Sequence, residues 1–188
     1  MKAFSILFSC IIIALPMVSC RTASQKSDSV ATANKINKEK AEQSQLDKDI
    51  AEFLVEIADG RMMDKREGEE ALKKGTTKEI RQYGQLMVKD QTKLLKEVKK
   101  LAKSHQITLP ASISSEKQEG LADLMKEQDK DFDRKFVKMI AIDHERDIKL
   151  FKKAGMYDDV SVRRFVVKYY PMLETHLGKV EAIKKNMQ

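Results

Sequence analysis

Cysteine is nearly missing from this chain: Cys10 and Cys20 are the only two, and both lie near the N-terminus. Everything after them lacks a thiol for a disulfide staple, a thiolate metal site or a cysteine nucleophile. Stability must therefore come from a buried core, and the remaining length suffices for one domain. Also missing are a nucleophile elbow, a phosphate-cradling glycine loop and an HExxH helix. "GRMMDKREG" has glycines at both ends, but no strand precedes it. Serine and threonine gather in the N-terminal polar segment and the loops, with no base beside them. These absences argue against an enzyme of ordinary type. Nor is charge of one sign segregated: the formal net charge is +7, yet basic and acidic residues are interleaved. The densest basic run, "KLLKEVKKLAKSH", reads as the solvated face of a helix.

What is present begins with an address. Lys2 supplies a short positive region, and residues 4–15 form an apolar run too short to cross a bilayer comfortably. "LPMVSC" follows, with small Ser19 before Cys20. The pattern resembles a bacterial lipoprotein signal, in which residues 1–19 are removed and Cys20 becomes the acylated first residue. Met17 stands where such signals usually carry leucine, and the alternative is an ordinary secretory signal cleaved nearby. Each buried acyl methylene adds about 0.8 kcal/mol, so several chains together hold a protein on a membrane stably. Arg21 rather than aspartate follows the cysteine, which favours an outer-membrane anchor facing the periplasm over inner-membrane retention. The expected partner is thus the membrane, through the lipid. An exported protein meets little nucleic acid, and none is expected as a partner; the basic balance argues at most for weak attraction to anionic surfaces.

Residues 20–45 are polar and lack aromatics, which predicts a flexible tether whose C-terminal part can already be helical. Residues 46–188 read as one helical domain, with no alternating strand pattern and no internal repeat. Helices are predicted over 47–74, 77–104, 115–126 and 131–154, and from 160 onward. Gly75 closes the first, a Ser115/Gln118 capping box opens the third, and Asp159 caps the last. Pro110 breaks the connector after the second helix, and Pro171 should kink or break the last one. Four long helices, one additional short one and short turns near Gly75 and Met156 predict an all-α, up-and-down four-helix bundle.

Three apolar seams carry polar residues. In "KMIAIDHERDIKLF", His144 interrupts the stripe of Val137, Ile140, Ala141, Ile148 and Phe151. Gln91 sits in the seam Ile80, Gly84, Met87, Leu94, Val98 and Leu101, and His176 in the seam Val162, Tyr169, Leu173 and Val180. Asp64 shares a seven-residue spacing with Ile50, Ile57 and Ala71, although Arg61 falls near the same stripe and weakens the pattern. Counted from the turns at ~1.5 Å per residue, the heights of these four agree to within about 10 Å. They are expected to form a polar layer, flanked by Asp90, Asp143 and Glu174, which can orient the imidazoles. Buried polar groups are costly unless paired, so the layer should be a hydrogen-bonded network or a metal site. The network, with no cofactor, is the preferred reading. The alternative is a divalent transition metal held by His144, His176 and Asp64. The Glu-x-x-His pairs of a di-iron centre are missing.

"TTKEIRQYGQLMVKDQ", "ITLPASI", "DKDFDRKFVKMIAIDHERDIKLF" and "YYPMLETHL" resemble, in order, the blocks of a bacterial family, domain of unknown function 4142. The resemblance implies an exported, ferritin-like helical bundle of the outer membrane without established activity. His144 and His176 match the family's histidines, and Asp143 its preceding acid. Asp64 falls where glutamate is usual, and "KDQ" places Gln91 where members carry histidine. Glutamine can donate and accept hydrogen bonds, so the departure favours the network over a tight metal site. The functional expectation is a lipid-anchored envelope protein with a binding, structural or stress-related role and no catalysis.

Overall fold

Most helices of this chain start on a side chain that caps them. The structure, a computed structural model, describes residues 28–43 and 46–187; the signal segment and Cys20 lie outside them. Six helices occur there in the order α1 (Ser29–Glu42), α2 (Lys48–Lys74), α3 (Lys78–Ser104), α4 (Ser115–Lys126), α5 (Asp129–Ala154) and α6 (Val160–Asn186). Asp28, Asp47, Thr77, Ser114 and Asp159 each accept a backbone N–H of the first turn, and only α5 starts without such a cap. A cap of this kind is worth about 1 kcal/mol. Among the described residues there is no strand, and the chain is all-α.

Three local expectations are corrected. The N-terminal tether does not extend to residue 45, because α1 is ordered on the domain by hydrogen bonds rather than by apolar area. Its buried Asn37 donates to the Thr108 carbonyl and accepts from the Thr108 N–H, each at 2.8 Å. Ser29 Oγ accepts from Ala111 N–H at 2.8 Å. Composition alone, which registers the scarcity of hydrophobes, is blind to such pairing. The cap of α4 is Ser114 instead of Ser115, and Gln118 reaches the Ile113 carbonyl at 2.8 Å. Pro171 does not break α6, which continues through it. Both Pro171 and Val167, whose carbonyl loses its partner, lie on the exposed side, where water can serve that carbonyl.

Side-chain contacts give the directions of the four long helices. Across the turn after Lys74, Gly68 of α2 faces Gly84 of α3, so this pair is antiparallel. Phe53 meets Phe151 while Arg61 meets Asp147, so α2 and α5 are antiparallel. Asp90 pairs with His176 and Glu97 with Lys168, so α3 and α6 are antiparallel too. Hence α3 and α5 run the same way. The strict alternation of an up-and-down arrangement does not hold, because residues 105–128 cross the full length of the molecule. Ser114 begins α4 beside Asp59, and Lys74 meets the carbonyls at its end. Thr76 then bonds Asp133 at the start of α5.

The core is divided. One apolar cluster gathers Phe53, Leu54, Leu94, Val98, Phe151, Phe165 and Leu173 near the α5–α6 turn. Beside a small third cluster of Met63, Ile113 and Leu121, the other large one gathers Ile80, Met87, Phe132, Phe136, Ile140 and Val180 near the α2–α3 turn. Between them, every long helix contributes polar residues at the same level.

Near the α2–α3 turn the two backbones approach closely. A Cβ on Gly84 would lie 2.7 Å from the Gly68 carbonyl oxygen and 2.9 Å from Ala71 Cβ, whereas one on Gly178 would meet nothing within 4 Å. Alanine is the better helix former by roughly 1 kcal/mol. Gly178→Ala should therefore stabilise the protein by about 0.5–1 kcal/mol in urea denaturation. Gly84→Ala should destabilise it by about 1–3 kcal/mol through overpacking.

Candidate functional site

The residues between the two apolar clusters form an ionic layer. Helix α2 presents Arg61, Asp64 and Glu67 at successive three-residue steps on one face, all 0% exposed. Helix α3 adds Gln91, α5 adds His144 and Asp147, and α6 adds His176, none more than 1% exposed. Arg61 is the hub. One of its terminal nitrogens lies 2.8 Å from Asp64 Oδ2 and donates to Gln91 Oε1 at 3.2 Å. The other is paired directly with Asp147 Oδ2. Gln91 turns its amide nitrogen to Met87 Sδ at 3.8 Å.

The imidazoles are neighbours, with ring centroids 5.5 Å apart. His176 Nε2 sits 3.0 Å from Asp90 Oδ2, and its carbonyl accepts from the Tyr83 hydroxyl at 3.2 Å. His144 Nδ1 is 3.9 Å from Asp64 Oδ2, and neither of its nitrogens makes a hydrogen bond. Burial, reinforced by the nearby Arg61 charge, drives the pKa of His144 well below the usual imidazole value. The Ile140 carbonyl one turn back opposes this only weakly. Burial also lowers His176, against the pull of Asp90. Both rings are therefore neutral at neutral pH. Tyr83 is held as a phenol by burial and by the Asp64 charge.

On the side of the layer facing α4, oxygens of Asp64, Glu67 and Asp143 lie within 4.8 Å of one another. Both Glu67 oxygens are buried without a hydrogen bond. Burial raises the Glu67 pKa well above the ordinary carboxyl value, and the charges of Asp64 and Asp143 push it further. Asp64 is raised by burial against the pull of Arg61. Asp143 is raised by burial and by Asp64. Arg146 pairs with Asp143 at 2.8 Å and lies 3.8 Å from Asp147. Four carboxylates thus face two guanidinium groups. Two negative charges remain for protons or a cation to neutralise.

Of the residues singled out from sequence, the structure brings together Asp64, Gln91, His144 and His176, with Asp90 beside His176 and Asp143 beside Asp64 and Glu67. Glu174 is corrected: it is exposed on α6 and outside the layer, two positions being too few to share a helical face with His176. Cys20 lies outside the described residues. Sequence reasoning missed Asp147 and Glu67 and treated Arg61 as noise. The spacing Ile140, His144, Asp147, Phe151 carried the signal for Asp147, since it alternates steps of four and three. Buried carboxylates at seam positions on α2 and α5 demand a cation, and Arg61 was the one at hand.

An all-helical domain with a sealed ionic layer is the class that fold and site define. The family model described as a domain of unknown function, DUF4142, matches residues 35–183, and the chain belongs to that family. No curated protein and no solved structure matches the chain.

Removing Arg61 would leave Asp64 and Asp147 buried without their cation. Arg61→Leu should therefore cost about 3–5 kcal/mol in urea denaturation, far more than its lost packing. Glu67 gives the opposite sign. Its folded pKa lies well above the ordinary glutamate value of 4.5, so the folded state loses stability as pH rises from there through the folded pKa. In chelator-treated protein, Glu67→Gln should be more stable than wild type by about 1–3 kcal/mol at pH near 8. That gain should vanish near pH 4, where both the folded and unfolded wild type carry the proton.

Proposed function

We propose that this chain is a lipid-anchored envelope protein facing the periplasm, acting by binding or by mechanical or stress-related support of the envelope, and not by catalysis. We read its four long helices as a ferritin-like four-helix bundle. Two antiparallel pairs, α2 with α3 and α5 with α6, joined by one long crossover containing α4, support that reading. The observation that carries the functional reading is the sealing of the layer. Its hub residues, Arg61, Asp64, Gln91 and His144, are 0% exposed, so they hold helices in register and present no reactive group to a substrate. Membrane attachment rests on Cys20 and the residues before it. No described helix is long and apolar enough to cross a membrane, so in this reading the lipid is the anchor. No nucleic acid is invoked.

A second reading is favoured by one observation, the two-carboxylate surplus around Asp64 and Glu67: the layer holds a divalent metal cation. In the first reading protons neutralise that surplus; in the second the metal does.

The anchor is tested by fractionation. Wild type should sediment with outer membranes and be released by detergent. Cys20→Ala should appear in the soluble periplasmic fraction, and a variant that stays on the membrane would refute lipid anchoring.

A further inference from the structure

We propose that Asp64, Glu67 and Asp143, with the His144 imidazole beside them, form a binding site for one divalent first-row cation of the Mn2+ or Zn2+ class. This rests on the metal-binding reading above but assigns a different ligand set from the two histidines and Asp64. Three carboxylate oxygens, one from each acid, lie within 4.8 Å of one another. Two oxygens sharing an ion at 2.0–2.2 Å stand at most about 4.4 Å apart, so small side-chain movements close the set. Acidic clusters alone often mean nothing. Here an independent group borders the same place: His144 is fully buried, neither of its nitrogens makes a hydrogen bond of ordinary geometry, and Nδ1 lies 3.9 Å from Asp64 Oδ2, so a rotation of the ring is needed to bring it into the three-acid group.

Donor chemistry and charge then select the ion. Three oxygens and one neutral nitrogen suit a borderline first-row metal better than calcium or magnesium, which prefer oxygen alone. A charge of two matches the two carboxylates left over after Arg61 and Arg146 are counted. Glu67, which has no hydrogen-bond partner in the protein, would gain one in the metal. His176 stands outside the three-acid group, and its Nε2 is held by Asp90. Access comes through Asp143, whose side chain is 15% exposed and whose partner Arg146 is 39% exposed. Glu67 and Asp64 are sealed, so Asp143 is the ligand an entering ion meets first.

The experiment uses the full mature chain in detergent, stripped with chelator, dialysed and titrated with Mn2+ (followed by loss of the free-ion resonance) and with Zn2+ by calorimetry. A single equivalent should bind. Glu67→Gln and Asp143→Asn should each weaken binding by about tenfold or more, while His176→Gln should stay within about threefold of wild type. Thermal melts check that each variant folds, and Asp143, at the rim of the layer, provides the readout if a core substitution does not. Stoichiometric binding that survives Glu67→Gln and Asp143→Asn, or that is equally lost in folded His176→Gln, would overturn this ligand set and leave the metal reading standing. Absence of binding by either ion to the wild type would overturn both.

Discussion

A guanidinium with no access to water is the constraint from which the rest of this molecule follows. Arg61 cannot shed its charge, and its donors are fixed in a plane, so its partners must come to it in defined positions. They come from three helices: Asp64 from its own, Asp147 from α5 and Gln91 from α3. The apolar clusters on either side impose no comparable restraint, since hydrophobic contact is non-directional. Sliding α5 along α2 by one turn, about 5.4 Å, would leave Phe151 and Ile140 in apolar company but strand Asp147 and Arg61. The ionic layer therefore sets register, and the apolar clusters supply the bulk of the driving force. Helix α6 joins through Asp90 and Tyr83, which bind His176 at its ring and its carbonyl.

The same layer is electrically lopsided. Toward Asp147 and Gln91 the guanidinium is well served, while toward Glu67 and Asp143 the carboxylates outnumber their cations. Topology places a cover over that second side. Because α3 and α5 run in the same direction, the chain between them must travel the length of the molecule, and α4 packs against both α2 and α5 as it does so. It brings Lys117 to 3.5 Å from Asp59, and its field lowers the carboxyl pKa values that burial raises. Crossover and charge surplus thus belong to one design: the segment that topology requires is also the one that shields the acidic side.

Much of this could be read from residue order. The seam of α3 gave all of its buried residues except Tyr83 and Ala102, because its amphipathic pattern is strong and its period uninterrupted. Helix starts were marked by Asp47, Thr77 and Asp159, whose side chains serve the first turn wherever the helix later packs. Direction was not readable from the same features. Short turns at Gly75 and Met156 fix two hairpins, but a connector's path depends on what it packs against. Helix α1 was hidden for a related reason, since Asn37 and Ser29 act through partners some seventy to eighty residues away. In the layer, single polar residues on clean stripes stood out, whereas Arg61, Glu67 and Asp147 looked like ordinary members of charged helices. Such charges are indistinguishable in sequence from solvated ones until their partners are known.

Gln91 shows how position changes the meaning of a substitution. Read from the sequence resemblance, glutamine at this position stands where a histidine is expected and removes one imidazole from a supposed metal layer. In the structure that side chain accepts a hydrogen bond from Arg61 and turns its amide to Met87, on the guanidinium side. What the position requires is a neutral acceptor, and a neutral imidazole and an amide oxygen both qualify. The carboxylates of Glu67 and Asp143 do not depend on it. The exchange therefore bears on how Arg61 is held, and it takes nothing from the acidic side of the layer, where the uncompensated charge lies.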